Sequence, residues 1–468
     1  MTPLLCSMKD GWKERIKRKT VFVLELYANS NIKTSVLQAL PFWAASLLVG
    51  LVAVGYTKCF AYGEVILQQL LHWHRWTIFL ISPFFFLLAW LVTRWFAPNA
   101  KGSGIPQVMA AIELATPKFE KQIDRLLSFR ILVTKICSSL LMVLGGGAIG
   151  REGPTIQVAG SVFTMVRKWL PSSWPKLSDQ SFILTGASAG LAAAFNTPLG
   201  GIVFAMEELA RIHIRHFRTP LFSAVIIAGL TAQGFLGPYL YLGYPDVNGL
   251  HLSIFVAVAV TAIAAGILGG LMCKLILKIS RWKKNFTTAQ SIFFILFTGL
   301  AFAAIANFLN VAILGSGKVL MNSLLFTSEK TVSWHTVLVR FAGPILCFNT
   351  GAAGGVFAPS LATGASVGSY IAWLFDASGS NANILVLSGM VGFLTGVTRT
   401  PFTSAILVLE MTDRHSVIFH LMIAALLSNI AALLIDKHSF YEQLKKDYVA
   451  DIVLDHAKKN ETAVPAAP

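Results

Sequence analysis

Apolar stretches recur along the whole chain, at 35–56, 78–92, 131–144, 222–236, 254–277, 292–314, 384–397 and 418–435. Some reach the ~20 residues that a membrane-crossing helix needs. Others are shorter and interrupted by glycine or proline, which predicts half-helices that meet inside the protein. Two interruptions correspond to one another: GREGP at 150–154 and GGVFAP at 354–359. Each follows an apolar segment holding a single cation, Lys135 before the first and Arg340 before the second. Paired, broken hydrophobic segments in equivalent positions predict an all-α polytopic membrane protein made of two inverted-topology repeats of tilted and broken helices. The first repeat is expected at about 31–236 and the second at about 252–436, with the seam in 237–251.

The flanks read differently. Residues 1–30 combine basic residues with a short apolar run, 21–26, broken by Glu25. That run is too short for a signal peptide, and an amphipathic helix is expected instead. A membrane domain is expected over 31–445 and a short C-terminal tail over 446–468, with the amphipathic stretch HSFYEQLKKDYVADIVLDHAKK (438–459) running across that boundary.

Composition agrees with a lipid solvent. Of 468 residues 55% are hydrophobic and only 13% charged, with a mean hydropathy of +0.66; soluble domains carry about a quarter charged residues. The net charge of +16 is clustered. Lys9, Lys13, Arg15, Lys17, Arg18 and Lys19 form one group, Arg211, Arg215 and Arg218 a second, and Lys274, Lys278, Arg281, Lys283 and Lys284 a third. Residues 237–251 between the latter two hold no Lys or Arg. The positive-inside rule places both termini and the basic groups in the cytoplasm and 237–251 outside. The charge reads as topology and contact with membrane lipids; no nucleic-acid partner is expected. Five scattered cysteines without CxxC indicate neither a disulfide framework nor a metal site.

Within GREGP lies Glu152, a carboxylate at membrane depth, where ionisable groups line water- or ion-filled paths. Its glycines free the backbone and Pro154 suits a first helical turn. A helix start offers unpaired N–H groups and a positive dipole end, which together bind anions. A carboxylate in that turn competes with the ion. Three further segments carry related chemistry: GSGIPQ (102–107) with the Ser103 hydroxyl, GGVFAP with the N–H groups of Val356 and Phe357, and Tyr441 near the start of the last amphipathic stretch.

In this order and spacing the four segments resemble the CLC family of chloride channels and chloride/proton antiporters, over about residues 30–445. The resemblance implies a CLC-type fold and a homodimer with one pathway per subunit. It implies that the hydroxyls of Ser103 and Tyr441 and the N–H groups of Val356 and Phe357 hold a dehydrated chloride. Glu152 is similar to the external gating glutamate, with Arg151 beside it, and Lys135 supports the path. Ser103 itself implies chloride: a proline there would suggest nitrate, and fluoride exporters depart from both this serine and GREGP. Ala353 stands where some relatives place proline, which bears on how the chain enters the helix. Without paired C-terminal regulatory domains the chain resembles prokaryotic members, placed in a bacterial inner membrane.

Channel or antiporter turns on Glu207 and Glu208, which end an apolar run ahead of Arg211. Glu208 matches the internal proton-transfer glutamate of proton-coupled members; the alternative is that both acids pair with Arg211 or Arg215 at helical spacing. Partial burial brings carboxylates towards neutral titration, so Glu152 and Glu208 are the expected ends of a proton path. The expected function is therefore H+/Cl− exchange, with no cofactor beyond the transported ions. The alternatives are a passive voltage- or pH-gated chloride channel and a membrane-embedded serine hydrolase using Ser188 of GASAG (186–190). Against the hydrolase, LAAAF follows GASAG and small residues serve helix packing, so the chain is not expected to be an enzyme. GSGK (315–318) lacks the upstream glycine and the Ser/Thr of a phosphate loop. His213 and His216 do not form HExxH and read as rim histidines.

Overall fold

The structure is a computed structural model that describes residues 30–171, 173–175, 177–209, 218–237 and 240–463. The N-terminal cationic group, Arg211, Arg215, His213 and His216 lie outside the described residues, as does the expected helix over 1–29. So do the side chain of Arg218 and the end of the tail.

The first repeat runs α1 (Ser30–Trp73), α2 (Ile78–Phe96), α3 (Ile105–Glu113), α4 (Phe129–Leu144), α5 (Glu152–Trp169), α6 (Asp179–Phe195), α7 (Pro198–Phe204) and α8 (Arg218–Leu236). The second repeats the series: α9 (Ile254–Trp282), α10 (Thr288–Ala304), α11 (Lys318–Phe326), α12 (Trp334–Phe348), α13 (Phe357–Leu374), α14 (Gly379–Thr398), α15 (Pro401–Thr412) and α16 (Ile418–Leu433). A last helix, α17 (Phe440–Ala463), has no counterpart. Long and short helices alternate in the same order in both halves. At ~1.5 Å per residue, the nine residues of α3 or α11 rise only ~14 Å, half a membrane core. Eight described helical segments are long and apolar enough to cross a membrane.

Equivalent termini are built alike. Asn196 after α6 and Arg399 after α14 both adopt the left-handed conformation, at φ 58° and 63°. A Thr-Pro pair then starts α7 and α15, the proline fitting a first turn whose N–H has no helical acceptor. On the dyad between the halves, Gly150 and Gly355 exchange both backbone hydrogen bonds, at 2.7 and 2.8 Å. Beside them Gly102 donates to Ala352 and its carbonyl accepts from Gly354.

The core is closed by small residues, as lipid-embedded helices require. Gly364 and Gly389 bring α13 and α14 into backbone contact, and a Cβ on either would overlap the other's carbonyl. Gly269 and Gly396 likewise bring α9 and α14 together, where a Cβ would overlap the carbonyls of Phe393 and Gly266 respectively. The most apolar 18-residue window of α14 is 94% buried, which puts this helix at the centre.

The boundary placed between 445 and 446 falls inside α17, which continues to Ala463. Side-chain anchors hold its distal part: Ile452 is buried, Arg125 pairs with Asp455 at 2.8 Å, and the rings of Phe119 and His456 meet edge to face. An amphipathic pattern with internal anchors outlasts the point where hydropathy turns polar.

Candidate ion pathway

The Ser103 loop is a turn built by two glycines, Gly102 and Gly104, at φ 66° and 104°. Lys135, fully buried on α4, fixes it by donating to the carbonyls of Ala100 at 2.9 Å and Gly102 at 2.7 Å. The cation therefore satisfies carbonyl oxygens that the turn would otherwise leave bare. Gln107 and Gln157 tie down the carbonyls of Lys101 and Leu126. The Ser103 hydroxyl then projects towards Gly153, where a Cβ would overlap it. That places GSGIP directly against GREGP.

Tyr441 reaches the same place from α17 and is fully buried. Its hydroxyl and that of Ser103 face one another, yet neither makes a well-formed hydrogen bond to the protein. Two buried, unsatisfied hydroxyls are costly and mark a place for a ligand that accepts. Across from them starts α13, where no group among the described residues accepts from the N–H groups of Val356 or Phe357. Ala353, before that start, donates its N–H to Ser138 at 3.0 Å; a proline there would forfeit this bond.

Glu152 is buried at 1% exposure in the first turn of α5. Its carboxylate folds back over Gly150, whose missing Cβ leaves the room. There it accepts from its own N–H and from that of Ala358, while Oε2 has no partner. The side chain thus sits where a helix start would receive an anion. Arg151 points away from the hydroxyl pair, donating to the Thr57 carbonyl at 3.3 Å. It lines a cavity of ≈ 220 Å³ over Glu152, together with Glu64, Tyr241, Ser316 and Lys318.

The two acids after α7 part company. A π-helical turn, Ala205–Leu209, carries both. Glu208 turns inward, 7% exposed, and both it and Glu152 lie within electrostatic reach of the Tyr441 hydroxyl. Glu207 instead caps α15, accepting from the N–H groups of Phe402 and Thr403 and from the Thr403 hydroxyl at 2.7 Å. Its bond partners therefore lie on the other repeat, at a helix start, and not only among arginines on its own helix. Ser188 points into its own helix and donates to the Leu184 carbonyl at 2.9 Å, a packing arrangement with no exposed nucleophile.

Four contributors escape motif reading. Glu410 caps α7 through Leu199 and Gly200 at 3.1 and 2.8 Å; its signal is the shared spacing, Thr-Pro followed nine residues later by Glu, at 198–207 and 401–410. Ser316 and Lys318 belong to GSGK, which is the second repeat's copy of GSGI rather than a degraded phosphate loop. Arg340 holds it as Lys135 holds the first, donating to the carbonyls of Ala312 through Gly315. Glu64, from mid-α1, has no local signal.

The family model described as voltage gated chloride channel matches residues 84–433. The H(+)/Cl(−) exchange transporter ClcA of Salmonella typhimurium LT2 is 28% identical over 441 residues, covering 89% of each chain. ClcA of Klebsiella pneumoniae is 27% identical over 436 residues, covering 89% of this chain and 90% of that one. Among solved structures, a slow cyanobacterial Cl−/H+ antiporter superposes with a TM-score of 0.76 at 24% identity, over 88% of this chain and 98% of that one. A CLC-type fluoride/proton antiporter gives 0.73 at 20%, over 88% and 98%.

Proposed function

From the premise that this chain belongs to the voltage gated chloride channel family, we propose that it exchanges chloride for protons across a membrane. The observation that carries the proposal is Glu152: buried, seated at the start of α13 beside free N–H donors, with one oxygen unpartnered. A tethered carboxylate there competes with chloride, and protonation releases it. Ser103, Tyr441, Val356 and Phe357 offer only neutral donors, which bind a dehydrated anion without the grip of a full charge. Arg151 acts from the mouth of the path, and Lys135 keeps the carbonyls of the Ser103 loop turned away. Glu208, inward-facing on its π turn, is the second proton station. Names of the relatives support exchange over passive conduction, since ClcA is an exchanger.

The same reading gives the surroundings. The face bearing α17 and Lys274–Lys284 is cytoplasmic, that bearing 237–251 is external, and the membrane is a bacterial inner membrane. The subunit acts as a homodimer, for which the outer faces of α7, α8, α15 and α16 supply exposed apolar side chains such as Leu199, Met206, Ile226, Phe402 and Ile430. The chain performs transport and no covalent chemistry.

In liposomes carrying a chloride gradient, exchange moves protons uphill. Chloride flux with no pH response would replace this reading by a passive channel.

A further inference from the structure

The second repeat's copy of the Ser103 loop stands on the face of loop 237–251. Gly315 and Gly317 adopt φ 64° and 88°, the same left-handed pair as Gly102 and Gly104, and each loop opens a nine-residue helix above a buried cation. On this copy a carboxylate is already seated. Glu64 Oε1 accepts from the Ser316 hydroxyl at 2.8 Å and from the Ser316 N–H at 3.2 Å. The loop's donors thus hold an anionic group, as the start of α13 holds Glu152.

The cavity beside that loop is lined by Ser316, Lys318, Arg151, Glu64 and Glu152. Its ≈ 220 Å³ exceeds several times the about 30 Å³ that one water takes in the liquid, so a partly hydrated halide fits. Lys318 is positioned by its ammonium lying 4.6 Å from the centre of the Tyr241 ring. Glu152, buried with Oε2 unpartnered, closes the floor. A second cavity of ≈ 930 Å³ shares Glu64 and Lys318 and adds His72 and Arg75 to its wall, giving a cationic approach from solution.

We propose that this cavity is a halide-binding antechamber, separate from the place the Glu152 carboxylate occupies, built by Ser316, Lys318 and Arg151 and regulated by Glu64 as a competing carboxylate. With Glu64 and Glu152 both ionised, the two carboxylates offset Arg151 and Lys318. A proton on Glu152 leaves the lining positive and draws a halide in, so the antechamber fills as that carboxylate becomes ready to leave the path. The inference rests on the exchange reading.

The test uses the full chain, with bromide as the probe. Crystals of Glu152→Gln grown in bromide are expected to show anomalous density bounded by Ser316 and Lys318, absent when Lys318→Gln is added. In bilayers with chloride varied on one side only, Lys318→Gln raises the half-saturating external chloride about three- to tenfold, the size of one screened charge. The internal value stays, and Lys318→Arg restores the external one. Glu64→Gln shifts the external value the opposite way, which tests the site even where Lys318→Gln does not fold. External dependence unchanged in both variants, equal shifts on both faces, or bromide density that survives loss of Lys318 would overturn the antechamber. Proton-coupled exchange that persists throughout then leaves the exchange reading standing; its loss in the unmodified protein sinks that reading instead.

Discussion

Glu207 and Glu410 cap each other's helices: the carboxylate ending the α7 stretch receives the first N–H groups of α15, and that ending α15 receives those of α7. The two caps are one arrangement applied twice by the internal dyad. Each carboxylate meets the positive end of a helix whose first N–H groups have no intrahelical partner. Glu207→Ala or Glu410→Ala is therefore expected to destabilise the protein by about 1–2 kcal/mol, the range of lost helix caps. Thermal unfolding in detergent checks this. A Glu207→Ala variant as stable as wild type would return Glu207 to the role of an ordinary surface acid.

Glu152→Gln keeps the shape of the side chain and removes its charge. Chloride flux is expected to continue with little pH dependence, while uphill proton movement in liposomes disappears. Retained, pH-dependent exchange contradicts the seat assigned to this carboxylate.

For Glu208→Gln the outcome differs. Proton movement is lost, but chloride flux stays gated by pH because Glu152 still titrates. Paired chloride and proton flux measurements separate the two, and wild-type coupling in this variant would make the burial of Glu208 merely structural.

Two glycines shape the path by what they leave empty. Gly153→Ala puts a methyl where the Ser103 hydroxyl lies, and Gly150→Ala puts one on the Glu152 carboxylate. The first is expected to weaken chloride binding about tenfold or more, since the hydroxyl must leave its donors' common focus. The second is expected to dislodge the carboxylate and flatten the pH dependence of flux. Equilibrium chloride binding and flux against pH read these out, and wild-type behaviour in both would remove the close contacts from the mechanism.

Much of this was legible in the chain. Broken apolar segments gave the repeats, because a membrane leaves glycine and proline interruptions few other uses. GREGP, GSGIP and GGVFAP marked helix starts, and the structure brings Gly153 to Ser103 and Gly150 to Gly355. What escaped was pairing across the repeats. Glu410 and Glu64 accept from backbone N–H groups more than 200 residues away, and no local pattern encodes a partner at that range. The GSGK loop is hidden for another reason: its kinship with 102–105 lies in a shared pair of left-handed glycines, which four residues of sequence do not distinguish from a phosphate-loop fragment. The length of α17 was lost because anchoring by Arg125 and Phe119 is tertiary.

The Gly150–Gly355 pair has a mechanical meaning. Two buried backbone hydrogen bonds join the halves at their axis, and Gly102 adds a third and fourth contact alongside. Rocking one half against the other, as in transporters with a moving bundle, would open these bonds out of reach of water, at about 1–3 kcal/mol per unsatisfied group. The halves are riveted. On the exchange reading, alternation then falls to parts small enough to swing within a fixed frame, a glutamate side chain or a hydroxyl: a turnstile turning inside a rigid wall.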